Sequence, residues 1–259
     1  GALLNAAECI RSGITCVCDM YIHPQSVARA MSEAGLRALV TPTVTDALLE
    51  EIPNLLTQIL HLREQWANHP LIRIGIAPHA VYTCGDRLLS AVAKLAERYD
   101  LPIHVHVSET AREQQDCLSQ HGVTPLAHLD SFGLITPHTL MAHCVWLSSS
   151  DIDLAAQRGA TVVHCPRSNL KLGSGIAPAE DFLRKIPIRM YRNGASPASA
   201  DAATARTTAA GPATGFSLGR LAPQEPADLI LVSRREPHWQ PGLNSQADLL
   251  YAASASDVV

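Results

Sequence analysis

The sequence predicts the α/β class, and within it a (β/α)8 barrel of the TIM type. Three observations carry that reading. Strand-like and helix-like segments alternate from residue 1 to about residue 190, the pattern of parallel βα units. The strand-like runs are largely apolar, which suits strands covered on both faces. No glycine-rich phosphate loop follows any of them, which disfavours an open nucleotide-binding sheet. The chain has 259 residues, close to the roughly 250 that such a barrel uses.

Each element has a local reason. Gly13 to Met20 is a β-branched run, and Pro24 to Ala34 is amphipathic and closed by Gly35. Leu36 to Pro42 is a strand, followed by a long helix from about Asp46 to Ala67. Leu71 to Pro78 is a strand, and Asp86 is read as the cap of a helix over Arg87 to Tyr99. Leu101 to Ser108 alternates as a strand, then Glu113 to Ser119 and Pro125 to Asp130 are helical. Thr139 to Val145 is a strand, Ser150 is read as the cap of Asp151 to Gln157, and Ala160 to Cys165 is a strand. The helix Ala179 to Lys185 precedes Ile186 to Met190. Ala195 to Gly215 is almost wholly Ala, Ser, Thr, Pro, Gly and Arg, without an apolar period, and reads as loop or disorder. Ala227 to Ser233 is again a strand, and Ala247 to Ala253 a short apolar element.

Composition narrows the function classes. Apolar residues make up 47% and charged ones 17%, with a formal charge of −4, so there is no basic footprint for nucleic acid or an anionic membrane. No apolar run reaches the roughly 18 residues of a spanning helix, and the first residues read as a helix rather than a signal peptide. The seven cysteines are an odd number, and Cys16-Val-Cys18 lacks the two-residue spacer of a zinc knuckle. They read as small buried thiols of a cytoplasmic protein.

The chemistry gathers at strand ends. His79 follows the third strand, His106 and Glu109 close Ile103-His-Val-His-Val-Ser-Glu109, His143 closes the next strand, and His164 begins His164-Cys-Pro-Arg-Ser-Asn169. In a parallel barrel the carboxyl ends of all strands share one face, so these residues converge. Histidine holds a metal and a carboxylate moves a proton, which together are the parts of a metal-dependent hydrolase. Each histidine alone is more often structural. Their repetition at successive strand ends favours function.

Ala77-Pro-His-Ala-Val-Tyr-Thr-Cys84, His104-Val-His-Val-Ser-Glu-Thr110, Met141-Ala-His-Cys-Val145 and His164-Cys-Pro-Arg-Ser-Asn-Leu-Lys-Leu172 together resemble the amidohydrolase superfamily. The nearest branch is that of the 5′-methylthioadenosine/S-adenosylhomocysteine deaminases and triazine chlorohydrolases. Weaker matches, Gly13 to Met20 and Ala227 to Val232, extend the likeness over nearly the whole chain. The resemblance implies one metal per subunit, Zn2+ or Fe2+, with His106 as a ligand. It implies Glu109 as the acid that protonates a ring nitrogen and assists the leaving amine. His143 falls where members hydrogen-bond the attacking hydroxide or the tetrahedral oxygen, and His79 where they touch substrate. His104 lies deeper and is left structural, while Arg167, Ser168 and Asn169 are rim donors or loop caps. The implied substrate is a small heterocycle, an adenine nucleoside such as methylthioadenosine or S-adenosylhomocysteine, and a homo-oligomer is compatible with it.

The sequence also departs from that pattern. The family's first strand carries a His-x-His pair of metal ligands, whereas this sequence opens in the helix before the Gly-Ile-Thr-Cys strand. Asn193 stands where the family has a metal-binding aspartate, and an amide neither binds metal well nor accepts a proton from water. The expectation is therefore an incomplete barrel, its first strand missing and its eighth degenerate, with a remnant of a small β-rich domain. Residues 1–193 would form the partial hydrolase barrel, 194–219 a low-complexity linker or altered last helix, and 220–259 part of the small domain. Two other readings stay open: a triazine- or pterin-type chlorohydrolase or deaminase, and a non-catalytic truncated paralogue.

Overall fold

The computed structural model describes residues 1–47, 52–186, 188–190 and 211–216, so Asn193 and the segment 220–259 lie outside the described residues. Helix α1 (Ala2–Arg11) leads into β1 (Cys16–Tyr21), followed by α2 (Pro24–Glu33), β2 (Arg37–Val44) and α3 (Ile52–Trp66). The third strand is split into β3 (Ile72–Ile74) and β4 (Ala77–Pro78), and leads to α4 (Asp86–Tyr99). Next come β5 (Ile103–Val107), α5 (Ala111–His121), α6 (Pro125–Ser131), β6 (Thr139–His143) and α7 (Ser149–Arg158). The order closes with β7 (Thr161–His164), α8 (Pro166–Leu172), α9 (Ala179–Lys185), β8 (Ile188–Met190) and a short α10 (Gly211–Thr214). Strand–helix alternation is thus present as expected.

All ladder pairs among the described residues are parallel. β1 pairs β2, and β2 pairs β3 and then β4. On the other side β5, β6, β7 and β8 pair in sequence. The halves join through an Ile76–Ile103 bridge and by His104 N–H donating to the Ile76 carbonyl at 3.0 Å. One parallel ladder therefore runs from β1 to β8.

Side-chain parity shows that the ladder curls. Ala38 and Val40 of β2, Val105 of β5 and Met141 of β6 belong to the large buried cluster shared with the helices, among them Leu88, Leu89 and Val92 of α4. The intervening residues, Leu39, Leu140 and Val163, form a second cluster with Ala213, and Cys18 and Cys165 pack against it. β2 and β6 are not ladder neighbours, so Leu39 and Leu140 can meet only across the inside of a curved sheet. That inner cluster is the filled barrel interior. Residues 211–216 contribute to the core, with Ala213, Thr214 and Phe216 buried and the Arg73 guanidinium over the Phe216 ring at 4.8 Å. The loop reading of the Ala- and Thr-rich stretch therefore does not hold for these residues. The closed helical turn of α10 is favoured by burial, not by an apolar period in the sequence.

Two helix caps differ from the sequence reading. α4 begins at Asp86 itself, with Gly85 as its N-cap, and Gly85 N–H donates to Asp46 Oδ2 at 2.8 Å. α7 is capped by Ser148 in a reciprocal box with Asp151, not by Ser150. Three consecutive serines offer the same hydroxyl, and only the backbone decides which one has the extended conformation a cap needs. The cysteines are all free thiols, but only Cys84, Cys117 and Cys144 are fully buried. Among the described residues no helix is long and apolar enough to cross a membrane.

Gly75 occupies the break between β3 and β4. A Cβ there would lie 2.4 Å from the Pro102 carbonyl oxygen and 3.0 Å from Thr41 Cγ2. Lack of a side chain lets the third strand approach β5 closely enough to join the two halves. Gly75→Ala is expected to lower the urea midpoint at unchanged slope, costing about 1–3 kcal/mol through backbone displacement. An unchanged midpoint would show that the junction tolerates the methyl group.

Candidate active site

The register of β5 builds the site. His106 N–H donates to the His79 carbonyl at 2.9 Å, and on the other flank Val107 is level with His143 of β6. The imidazoles of His79 and His143 accordingly lie 4.8 and 5.0 Å from that of His106, measured between ring centroids. His104 sits below, 6.4 Å from His106, with Nδ1 3.3 Å from Thr41 Oγ1. The structure brings His79, His106, Glu109 and His143 together at the carboxyl ends of the strands and adds His164 of β7, which is buried.

His106 is held in one tautomer. Its Nδ1–H donates to the His79 carbonyl at 3.1 Å, which leaves Nε2 with its lone pair. Burial, reinforced by the neighbouring imidazoles of His143, His104 and His79, pushes its pKa down to about 3. It is therefore a neutral ring at any physiological pH. A neutral imidazole oriented by a backbone carbonyl is the form that ligates a metal. Burial likewise lowers the pKa of His79 and of His164. His164 Nδ1 and Asn169 Nδ2 are buried without hydrogen-bond partners among the described residues, so the pocket retains polar atoms that a polar ligand would satisfy.

His106 thus fits one ligand position of a divalent ion. No three histidine, cysteine or carboxylate groups of this pocket approach one another closely enough to form a complete cage among the described residues.

His143 is oriented from behind. Its Nδ1–H donates to Asn169 Oδ1 at 2.8 Å, and Glu109 Oε1 lies 3.6 Å away. Asn169 is on α8 and buried, whereas Arg167 is exposed and Ser168 half-buried. Of the three rim residues, only Asn169 reaches the pocket. Its role could not be read from the sequence, since nothing in a Ser-Asn pair distinguishes a helix-borne partner from a loop cap.

Glu109 sits on the turn leaving β5, before Thr110, the N-cap of α5. It is not the first-turn acid of that helix. Glu113 has that place, and it also clamps the turn. Its Oε1 accepts the Ser108 N–H at 2.9 Å and its Oε2 the Glu109 N–H at 2.7 Å. Thr110-x-x-Glu113 is a capping-box pattern visible in the sequence, and this signal could have marked Glu113. Ser174 Oγ donates to Glu109 Oε1 at 3.5 Å, and Trp146 Nε1–H fixes Ser174 through its carbonyl at 2.8 Å. Backbone strain collects here too. Ser108, His143 and Cys144 have φ of 49°, 71° and 51°, each costing about 1–3 kcal/mol. Cys144 N–H closes a γ-turn onto the Ala142 carbonyl at 3.0 Å. Such strain redirects the chain at the ends of β5 and β6, where Glu109 and His143 are presented.

Burial raises the Glu113 pKa to about 7, against the pull of the backbone N–H donors of Glu109, Ser108 and Thr110. The folded state then binds this proton more tightly than the unfolded chain, whose glutamate titrates near about 4.3. Stability from this group is present at low pH and is lost as pH rises through about 7. Glu113→Gln is expected to flatten the fall in urea midpoint between these two pKa values. An identical pH slope in wild type and variant would refute the assignment.

Residues 1–192 match the model of the amidohydrolase family. The chain is 37% identical to a 5-methylthioadenosine/S-adenosylhomocysteine deaminase of Nitratidesulfovibrio vulgaris, over 99% of this chain and 65% of that protein. It is 34% identical to a 5′-deoxyadenosine deaminase of Methanothermobacter thermautotrophicus, over 100% of this chain and 68% of that one. The chain thus spans about two thirds of the length of these curated relatives. The first of these alignments runs over 294 positions against a chain of 259 residues, so that relative carries inserted residues within the matched span. Among solved structures, a zinc-bound adenosine deaminase from Xanthomonas campestris superposes with a TM-score of 0.92 at 31% identity, covering 99% of this chain and 66% of that one. A zinc-bound atrazine chlorohydrolase from Arthrobacter aurescens shares the fold, with a TM-score of 0.85 at 19% identity over 99% of this chain and 70% of that one. With its strand-end histidines and Glu109 in one pocket, the chain belongs to the amidohydrolase family.

Proposed function

We propose that this chain provides the catalytic barrel of a metal-dependent aminohydrolase that removes the exocyclic amine of an adenine nucleoside of the 5′-deoxy or 5′-thio type. The observation that carries the reading is the meeting of a neutral, carbonyl-oriented His106 with the His143–Glu109 pair at one barrel mouth. Support for the substrate class comes from relatives 34–38% identical that carry deaminase names.

His106 would hold the divalent ion, zinc or iron, through Nε2, its other nitrogen being committed to the His79 carbonyl. The ion, when bound, supplies the polarisation that makes water a nucleophile near neutral pH. Glu109 takes a proton from that water and passes it to the ring nitrogen, so that oxygen can bond to the amine-bearing carbon. The same carboxyl group then moves the remaining hydroxyl proton to the amine, which leaves as ammonia as the carbon–oxygen double bond forms. His143, with Nδ1–H directed at Asn169, offers Nε2 as an acceptor to the attacking water. His79 is tied through Nδ1 to Thr83 Oγ1 at 3.0 Å and faces the substrate with its other edge.

A second reading, a non-catalytic paralogue, is favoured by one observation: His106 is the single family ligand found among the described residues. Metal held at the barrel mouth decides between the two. The protein, loaded and desalted, is expected to retain zinc or iron that His106→Ala loses, and to release ammonia from adenosine, 5′-deoxyadenosine or methylthioadenosine. Protein that keeps this metal yet releases no ammonia from any of them sinks the substrate reading, and protein whose metal content is unchanged by His106→Ala sinks the enzyme reading. Glu109→Gln is expected to lower kcat by about 10²–10⁴ with metal retained. Asn169→Ala, which frees the His143 ring, should lower kcat by about 10–100-fold with little change in KM. A KM change alone would assign Asn169 to substrate contact instead.

A further inference from the structure

A second group of ligating side chains lies outside the barrel mouth. Asp86 is the first residue of α4, His121 the last of α5, and His128 lies on α6. Their ligand atoms all lie within 4.8 Å of one another. From this geometry we propose that Asp86, His121 and His128 bind a zinc-type divalent ion that ties α4 to the α5–α6 pair.

Side chains and backbone together build the arrangement. The His128 ring is buried and fixed on both sides, its centroid 3.9 Å from that of His121 and 5.2 Å, edge to face, from that of Phe132. Its Nε2 already points at Asp86 Oδ1, 3.3 Å away. His121 and Asp86 are exposed, so their side chains are free to close from the observed spacing to the ligand distances of a bound ion. The backbone also favours positive charge beside His121, because the C-terminal end of α5 is the negative end of its helix dipole. Burial and the adjacent His121 lower the His128 pKa, against the pull of Asp86.

The donor set selects the ion. Two imidazoles and one carboxylate suit zinc and its neighbours in the first transition row, not calcium or magnesium, which want oxygen cages. Three protein ligands leave a coordination position for water. None of these three residues belongs to the pocket of His106 and His143, and His121 is at the opposite end of α5 from Glu113.

The test uses the whole chain, stripped with a chelator and titrated with zinc. In a His106→Ala background, which removes the ligand at the barrel mouth, zinc should still bind one equivalent and raise the unfolding temperature. Adding His121→Ala or Asp86→Asn should weaken that binding by about 100-fold and abolish the rise, each judged against that variant's own metal-free unfolding temperature. Cobalt substituted for zinc should give visible absorption bands that disappear in the same variants. Magnesium and calcium should produce no shift. The proposal is overturned if zinc fails to bind in the His106→Ala background, or binds equally well with and without His121. Should His121→Ala alter metal-free unfolding, His121→Gln gives the same comparison with most of the side-chain volume kept.

Discussion

The constraint on which the site depends is the register of β5 between its two neighbours. His104 N–H and His106 N–H donate to carbonyls of the third strand, while β6 pairs level along the other edge. Because side chains alternate, that register turns His104 and His106 inward and sends Ile103, Val105 and Val107 to the helix layer. A slip of one residue would exchange the two sets, putting imidazoles among leucines and valines and removing the pocket. The apolar burial that stabilises the barrel and the placement of the chemistry are one geometric fact. Gly75 belongs to the same constraint, since its missing side chain permits the approach on which the β4–β5 contact relies.

Much of this was legible in the sequence, and the reason is periodicity. The alternation in Ile103 to Val107 fixes which residues face inward, and the βα order fixes which strand ends share a face. From those two rules His79, His106, Glu109 and His143 could be placed in one pocket before any coordinate was known. Helix caps were less legible because neighbouring residues carry the same chemistry. Ser148 and Ser150 differ only in backbone angles, and Gly85 caps α4 while the adjacent Asp86, the more usual capping residue, does not. The partners that orient the site were least legible. Asn169 meets His143 across 26 positions of sequence, and the strained φ values of Ser108 and His143 leave no compositional mark.

Glu113 lies between these cases. Its place three residues after Thr110 is a local signal, and the N-cap bond from Glu113 N–H to Thr110 Oγ1 is formed at 3.1 Å. The carboxylate does more than a cap requires, because it reaches past Thr110 to hold the Ser108 and Glu109 backbone. A buried acid whose proton affinity is raised by burial is an expensive fastener. Its retention here is intelligible if Glu109 has to be presented at a fixed angle, since two backbone donors determine the turn more closely than one.

The same logic explains how the imidazoles are tied. His106 and His143 each spend Nδ1 on a partner behind them, a backbone carbonyl in one case and an amide oxygen in the other. Each thereby turns Nε2 forward, whatever occupies the pocket. The orientation comes from the scaffold and precedes ligand binding, which is where preorganisation has its effect. Deamination and hydrolytic dechlorination both attack a ring carbon with activated water, so under the proposed function this inner arrangement would suit either. Discrimination between ring systems would then rest with groups further out, such as the exposed Tyr82, whose ring centroid lies 5.8 Å from that of His79. A fold shared with triazine hydrolases alongside sequence closer to nucleoside deaminases is what such a division between a fixed inner site and a variable rim produces.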